Sequence, residues 1–284
     1  MAKITLCAFS DESDASFKGQ IDALKRNNIP YMEMRLVDGK NIIDYTIDEV
    51  KEYKKKMDDE GVAAWSLGSP IGKVDINVDF PQYLEKVKHA AEVAATMGTD
   101  KIRMFSFFNS INQREKVFEY LTKMVEVANA YGVNLYHENE KGIYGDNIAR
   151  VQDIMNNVKG LKYIYDPANY LQVGEKALDT LNTFHNKTDY FHIKDVRVAV
   201  DALVPAGLGD GMIDELVRRI TDEKVLTLEP HLSVFEGYSA LDKTTLKHEY
   251  AFKTAELAFD TAVSALKKII VENGYVERGT SFVK

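Results

Sequence analysis

The sequence has very little cysteine: Cys7 is the only one among 284 residues. One cysteine excludes an intramolecular disulfide and a Cys-x-x-Cys zinc site. The chain also lacks any uncharged run approaching the roughly 18 residues that a membrane-spanning helix needs. Its first apolar run ends in Asp11 and Glu12 and is too short and wrongly flanked for a signal peptide. We therefore expect a reduced, cytoplasmic protein with no membrane partner.

Positive charge is scarce as well. Lys and Arg number 36 against 44 Asp and Glu, which gives a formal net charge of −8. Binding to nucleic-acid phosphates needs a clustered excess of Lys and Arg, so nucleic acid is not an expected partner. No Gly-x-Gly-x-x-Gly follows the first predicted strand, and this disfavours a dinucleotide-binding fold. With 45% apolar and 28% charged residues, the composition is that of an ordinary soluble globular protein.

The chain does contain a regular alternation of short apolar strands and amphipathic helices. The predicted strands span 4–9, 31–36, 62–67, 101–107, 134–138, 161–165, 190–193 and 225–228. Alternating strands and helices predict a parallel sheet, and eight such units predict an α/β fold of the closed (β/α)8 type, a TIM barrel. We expect a single domain over residues 1–284. The last helix is predicted over 246–272, and the polar tail after Gly274 is expected to be loosely held.

Four consecutive predicted strands end in a residue that can bind a metal ion. These residues are Glu138, Asp166, His192 and Glu229. Because the C-terminal ends of barrel strands surround one mouth, we expect the four side chains to lie together. One acid at a strand end is more often a cap or a salt-bridge partner, but the fourfold repetition predicts a metal site. Three carboxylates and one imidazole suit one divalent ion; we expect Mn²⁺, with Mg²⁺, Co²⁺ or Zn²⁺ as alternatives.

Short motifs surround these strand ends, and through them the chain resembles the xylose-isomerase-like sugar (phosphate) isomerase and epimerase barrels over nearly its whole length. The motifs are Tyr-Met-Glu-Met-Arg-Leu-Val-Asp-Gly at 31–39, Gly-Ser-Pro-Ile-Gly-Lys at 68–73, Leu-Tyr-His-Glu-Asn at 135–139, Asp-Pro-Ala-Asn at 166–169, His-Ile-Lys-Asp-Val at 192–196 and Leu-Glu-Pro at 228–230. Together they are specific for the superfamily and not for a substrate. The resemblance implies the same four metal ligands.

The resemblance also implies an activity, that of a divalent-metal-dependent isomerase or epimerase of a small carbohydrate. In such enzymes the ion polarises a carbonyl and acidifies the neighbouring C–H bond. Glu138 and Glu229 would form the catalytic pair, one removing a proton from one side of the substrate carbon and the other delivering a proton to the opposite side. If the next carbon carries a leaving group, the same chemistry gives a lyase or dehydratase acting on a keto-sugar or keto-inositol, including cleavage of oxidised glycosides. The four ligands do not separate these outcomes.

Four further residues are expected to contact the substrate: Glu33, Trp65, Asn169 and Arg197. The family implies substrate-side roles near strand two, which carries Glu33, and Trp65 on strand three is an aromatic wall for the pocket. Asn169 stands three residues after Asp166, where some epimerases have a histidine, and this departure disfavours a ketohexose. Arg197 comes five residues after His192, slightly earlier than the substrate-binding arginine of ketose epimerases.

A glycine-rich segment, Gly-Leu-Gly-Asp-Gly at 207–211, precedes a predicted helix. Glycine backbones at a helix start are able to hold a phosphate, but the aspartate in this segment opposes an anion. We expect a flexible loop here.

Two other classes of protein stay open at this point. A related DNA-repair endonuclease barrel with several zinc ions needs more strand-end histidines and a basic face, whereas this chain has 6 His and net negative charge. A sugar-binding protein without catalytic activity would need no metal, so a test of metal binding separates it from the enzyme. The sequence leaves open whether the protein is a homo-oligomer.

Overall fold

Eight parallel strands form a closed barrel, which confirms the predicted fold class. The computed structural model describes residues 1–232, the backbone of 247–248, and residues 250–284. The barrel strands are β1 (Lys3–Ala8), β2 (Tyr31–Met34), β3 (Ala63–Leu67), β4 (Lys101–Met104), β5 (Asn134–Glu138), β6 (Lys162–Tyr165), β7 (Tyr190–Ile193) and β8 (Glu223–Leu228). Each strand pairs with the next, and β8 pairs with β1 from Lys3↔Glu223 to Ala8↔Leu228, which closes the ring.

Helices cover the outside of the barrel. In the described ranges they are α1 (Phe17–Arg26), α2 (Ile47–Glu60), α3 (Phe80–Met97), α4 (Arg114–Asn129), α5 (Ile148–Asn157), α6 (Pro167–Gln172), α7 (Ala177–Phe184), α8 (Ile213–Arg218) and α9 (Ala255–Glu272). A capping box begins α2, since the side chains of Thr46 and Glu49 each accept a hydrogen bond from the other's backbone N–H. Across these ranges, none of the helices combines the length and the apolar character that crossing a membrane requires.

The last helix begins later than predicted. Its first residue is Ala255, because the Thr254 hydroxyl accepts a hydrogen bond from the Leu257 N–H at 3.1 Å and caps the helix there. The predicted start at 246 lies outside the described residues. Lys247–His248 instead form a short strand that pairs with Ala202 and Leu203.

The prediction of a loosely held tail is wrong. Val276–Arg278 and Ser281–Val283 form an antiparallel hairpin, and the second strand of this hairpin pairs with β1 from Lys3↔Val283 to Thr5↔Ser281. Phe282 is buried, and the Thr5 and Ser281 hydroxyls are 2.9 Å apart. The buried side chains of Tyr275 and Phe282, together with the pairing to Lys3–Thr5 of β1, hold the tail in place.

An aromatic layer inside the barrel forms the floor of the mouth. Cys7, Tyr136, Ile164, Tyr190 and Val225 pack together there, with Tyr31 and Trp65 against them. Alternate residues of a strand point to the same side. Tyr136, Ile164 and Tyr190 therefore place the residues two positions later, which are Glu138, Asp166 and His192, in the next layer towards the mouth.

Candidate metal centre

The four strand-end residues meet at the mouth of the barrel. Glu138, Asp166, His192 and Glu229 each present one ligand atom, and these atoms all lie within 4.8 Å of one another. All four side chains are at most 4% exposed. The spacing of the strands thus brings the predicted set together in a buried cluster.

The imidazole of His192 is oriented by a carboxylate behind it. Its Nε2 lies 3.1 Å from Glu33 Oε2, and its Nδ1 lies 2.9 Å from Glu138 Oε1 and 3.1 Å from Glu229 Oε2. If Nε2–H donates to Glu33, the lone pair of Nδ1 faces two carboxylate oxygens. That arrangement is favourable only with a cation at Nδ1, either a proton or a metal ion. A carboxylate behind a metal-binding histidine is a common arrangement in metalloproteins.

The two carboxylate oxygens of Asp166 have different surroundings. Its Oδ1 accepts a hydrogen bond from the Asn169 N–H at 3.1 Å and caps helix α6, in which Pro167 occupies the first turn. Its buried Oδ2 forms no hydrogen bond with any described residue, and the same is true of Glu229 Oε2. Burial raises the pKa of Asp166 to about 7 despite the nearby Lys194 ammonium. Asp166 Oδ2 lies 2.9 Å from Lys194 Nζ and Glu229 Oε2 lies 3.1 Å from His192 Nδ1, so each oxygen has a neighbour of opposite charge or polarity but no well-aligned hydrogen bond. Buried oxygens in this state are suitable ligands for a cation.

Two arginines contact the outer oxygens of the glutamates. Arg103 Nη1 lies 3.3 Å from both Glu138 Oε2 and Glu229 Oε1, and Arg35 Nη1 lies 3.1 Å from Glu229 Oε1. The oxygens on the other side, Glu138 Oε1 and Glu229 Oε2, are those near His192. Burial alone would raise the pKa of Glu229, but the positive charge of Lys194 and the contact with His192 hold this pKa well below its usual range.

The cluster contains more buried carboxyl groups than buried cationic side chains. Among the described residues, the connected buried carboxylates are Asp11, Glu12, Glu33, Glu138, Asp166 and Glu229, and the buried cations paired with them are Arg35, Arg103 and Lys194. Burial raises the pKa of Glu12 to about 8, so this carboxyl is mostly protonated at pH 7. Asp166 titrates near the same pH, so protons partly neutralise the excess of carboxyl groups over cations, and a bound cation would displace them.

A second group of possible ligands is already neutralised. Glu12, Glu229 and His231 also place one ligand atom each within 4.8 Å of the others. Arg35 lies among them, with Nη2 at 3.3 Å from Glu12 Oε1 and Nη1 at 3.5 Å from His231 Nε2. Since a guanidinium already supplies the positive charge, this group has no need of a second metal ion.

The glycine-rich segment binds a side chain of the protein itself. The Asp195 carboxylate accepts hydrogen bonds from the N–H groups of Gly207 at 2.9 Å, Gly209 at 3.1 Å and Gly211 at 2.9 Å. A Cβ added to Gly209 would lie 2.3 Å from Asp195 Oδ1, so the carboxylate needs glycine there. The backbone that follows β7 is therefore fixed by these bonds, and the anion-binding capacity of the loop is already used.

The four residues predicted to bind substrate lie in four different surroundings. Glu33 is 1% exposed behind His192, and Trp65 contacts Tyr31 and Tyr190 in the floor layer. Asn169 donates from Nδ2 to the Asn139 carbonyl at 2.9 Å. Arg197 donates to the Leu208 carbonyl at 3.0 Å, beside the glycine-rich segment. The structure does not bring these four together, and their contact with a substrate stays a prediction.

Three cationic residues of the cluster are not among the site residues predicted from the sequence. Arg35 directly follows β2, and Arg103 is the second-last residue of β4. Lys194 comes two residues after His192. Side chains two apart on a strand share a side, so Arg35 follows from Glu33 and Lys194 follows from His192. Arg103 is a charged residue within the apolar run 101–107, and this pattern predicts an inward polar contact.

The comparisons with known proteins identify the family. The model of the xylose isomerase-like TIM barrel family matches residues 21–269, and the chain belongs to that family. The sequence resemblance described above is thereby confirmed. No curated protein sequence shows a significant match.

Several solved structures share the fold. An IolI protein with a bound zinc atom matches with a TM-score of 0.70 and 16% identity, covering 95% of this chain and 99% of that chain. A probable 3-DHS dehydratase, AsbF of Bacillus anthracis, matches with a TM-score of 0.69 and 16% identity, covering 94% and 99%. An L-ribulose 3-epimerase matches with a TM-score of 0.70 and 14% identity, covering 96% of each chain. At such identities the likeness concerns the fold alone.

Proposed function

We propose that the protein is a divalent-metal-dependent isomerase or epimerase of a small carbohydrate. The observation that carries this proposal is the convergence of Glu138, Asp166, His192 and Glu229 within 4.8 Å in a buried cluster. These residues would hold the ion, with Mn²⁺ as the expected metal. When bound, a divalent ion supplies Lewis-acid polarisation of a carbonyl and so acidifies the neighbouring C–H bond.

The protein's own residues would move the proton. Glu138 and Glu229 come from β5 and β8, and each turns one oxygen towards His192. One glutamate, as the carboxylate, removes the proton next to the carbonyl, and the other, as the carboxylic acid, delivers its own proton to the same or the adjacent carbon. Glu33 keeps the His192 ring oriented throughout, and Asn169 holds Asp166 by its outer oxygen. The aromatic floor limits access of water from below.

A specific observation favours a lyase as a second candidate. Glu229 Oε1 contacts both Arg35 and Arg103, and the pKa of this carboxyl is lowered by Lys194 and His192 against the effect of burial. A carboxylate held ionised in this way is a poor proton donor. Elimination from a keto-sugar or keto-inositol requires one carboxylate base, and Glu138 would be sufficient.

The test is a turnover screen of ketoses, inososes and keto-glycosides with added Mn²⁺ in D₂O. An isomerase or epimerase yields an isomeric product with deuterium on the exchanged carbon, and Glu138→Gln abolishes the exchange. A dehydrated or split product supports the lyase instead. Exchange at the wild-type rate in both Glu138→Gln and Glu229→Gln would refute the two-carboxylate mechanism.

A further inference from the structure

Lys194 is a buried cation next to the four proposed ligands. It follows β7 directly and is 6% exposed. Its Nζ lies 2.9 Å from Asp166 Oδ2, an ion pair that lacks the geometry of a hydrogen bond. This is the oxygen that Asp166 offers to the centre of the cluster, because the Asn169 N–H occupies Oδ1.

The position of Lys194 is set by the residues on either side of it. Lys194 directly follows the last residue of β7, two residues after His192, and its side chain reaches Asp166 at the end of the neighbouring strand β6. The next residue, Asp195, is fixed by three glycine N–H groups. The backbone on both sides of Lys194 is therefore fixed, and the residue lies beyond the carboxyl end of β7, at the end of the barrel where the mouth opens.

The other cations of the mouth are placed differently. Arg35 and Arg103 contact Glu229 Oε1, on the side away from His192. Lys73 Nζ pairs with Glu140 Oε2 at 3.0 Å and lies 4.4 Å from the Phe105 ring centroid. Of these four cations, Lys194 is the one that contacts the ligand set from the side of the mouth.

We propose that Lys194 is a catalytic residue that donates a hydrogen bond to the oxygen anion which develops on the carbohydrate during proton abstraction. This inference rests on the proposed function. When a glutamate takes the proton from the C–H bond, the electron pair of that bond moves into the carbonyl and leaves negative charge on oxygen. The ammonium keeps its three protons and stabilises that charge as a fixed donor. Charge-assisted hydrogen bonds of this kind are stronger than those between neutral groups.

Oxalate is a suitable probe, since it is a planar dianion with adjacent oxygens and resembles an enediolate. We would measure two affinities by titration calorimetry: that of Mn²⁺ for the protein, and that of oxalate for the Mn²⁺-loaded protein. In Lys194→Met, oxalate binds about tenfold or more weakly, the effect of one lost charge-assisted hydrogen bond. Mn²⁺ alone binds more tightly by about tenfold, because a positive charge near the ion is gone.

Two control variants accompany this measurement. Lys194→Arg keeps the charge on a larger planar group, and its oxalate affinity falls by less than that of Lys194→Met. Lys73→Met removes a mouth lysine that pairs with Glu140 and not with a ligand, and both affinities stay within about threefold. Circular dichroism and thermal unfolding establish that each variant is folded.

The opposite signs of the two effects separate catalysis from a structural role. A misfolded mouth would weaken Mn²⁺ and oxalate together. The inference would be overturned if Lys194→Met had unchanged oxalate affinity. It would also be overturned if Lys194→Met had lower Mn²⁺ affinity while Lys194→Arg behaved as wild type. Either result would leave the proposed function intact. A wild-type protein that binds no Mn²⁺ would overturn the proposed function, and this inference with it.

Discussion

The carboxylate behind His192 gives a quantitative prediction. Glu33 Oε2 lies 3.1 Å from His192 Nε2 in a fully buried pair, and Glu33 Oε1 accepts a hydrogen bond from the Tyr190 hydroxyl at 3.3 Å. Replacing Glu33 by Gln removes the negative charge but keeps an oxygen that accepts from Nε2–H. Loss of such a carboxylate partner usually costs 10–100-fold in metal affinity. We expect about tenfold for Glu33→Gln, or about 1.4 kcal/mol, since one hydrogen bond is retained.

Glu33→Ala extends the same prediction. This variant removes both the charge and the hydrogen bond and leaves the His192 ring free to turn, so we expect a loss of about 100-fold. Tyr190→Phe is the matched control, because it removes only a hydroxyl that reaches Glu33 and Ser66. Its Mn²⁺ affinity should change by less than about threefold.

The assay is Mn²⁺ titration calorimetry of each folded variant at pH 7.5. Glu33→Gln and Glu33→Ala with the Mn²⁺ affinity of wild type would refute the reasoning. That result would mean that Nδ1 of His192 needs no orientation from behind, or that His192 is not a ligand.

Three predictions concern stability of the protein in EDTA. Burial raises the pKa of Glu12 from 4.5 to about 8 in the folded state, so the free energy of unfolding falls as pH rises from about 4.5 to 8. Glu12→Gln removes this pH dependence and is more stable than the wild type by about 3 kcal/mol at pH 7. Urea unfolding at several pH values measures both effects. Burial lowers the pKa of His137 from 6.5 to about 3, so the free energy of unfolding decreases as pH falls below 6.5, by about 2 kcal/mol at pH 5. His137→Gln removes this decrease, which the same urea unfolding experiments measure. Gly209→Ala places a Cβ 2.3 Å from Asp195 Oδ1, and we expect it to lower the free energy of unfolding by about 2 kcal/mol. A melting temperature equal to that of the wild type would contradict this prediction, because it would mean that the loop accommodates the methyl group without destabilisation.

The barrel and the meeting of the four strand ends were predictable because they depend on periodic features. Each unit repeats an apolar run, a polar end and a helix, and in a parallel barrel all carboxyl ends lie on one face. The convergence of Glu138, Asp166, His192 and Glu229 follows from that geometry without knowledge of any side-chain contact.

The surroundings of these four residues were less predictable because they depend on contacts across the barrel. Arg103 from β4 reaches Glu138 and Glu229, which are 35 and 126 residues away in sequence. Nothing local to residue 103 specifies these partners. The docking of the C-terminal tail was not predicted for a similar reason. It depends on the pairing of Lys3–Thr5 in β1 with Ser281–Val283, which are far apart in the chain.

The glycine-rich segment shows what a local motif leaves out. Three glycines at alternate positions present their N–H groups to one side, which is compatible with a phosphate. Asp195 already fills that position, and it comes from the end of β7, where it fixes the backbone beside Lys194. The sequence alone predicts a flexible loop here, and that prediction is wrong, because the Asp195 side chain binds the three N–H groups and fixes the segment.

The most direct test of the central claim is equilibrium binding of Mn²⁺ to the purified protein and to Asp166→Asn. If the four strand-end residues form a metal site, the wild type binds one ion per chain, and Asp166→Asn binds it at least about 100-fold more weakly, since it lacks the anionic Oδ2. Binding of less than one ion by the wild type, or equal affinity in the two proteins, would contradict the claim.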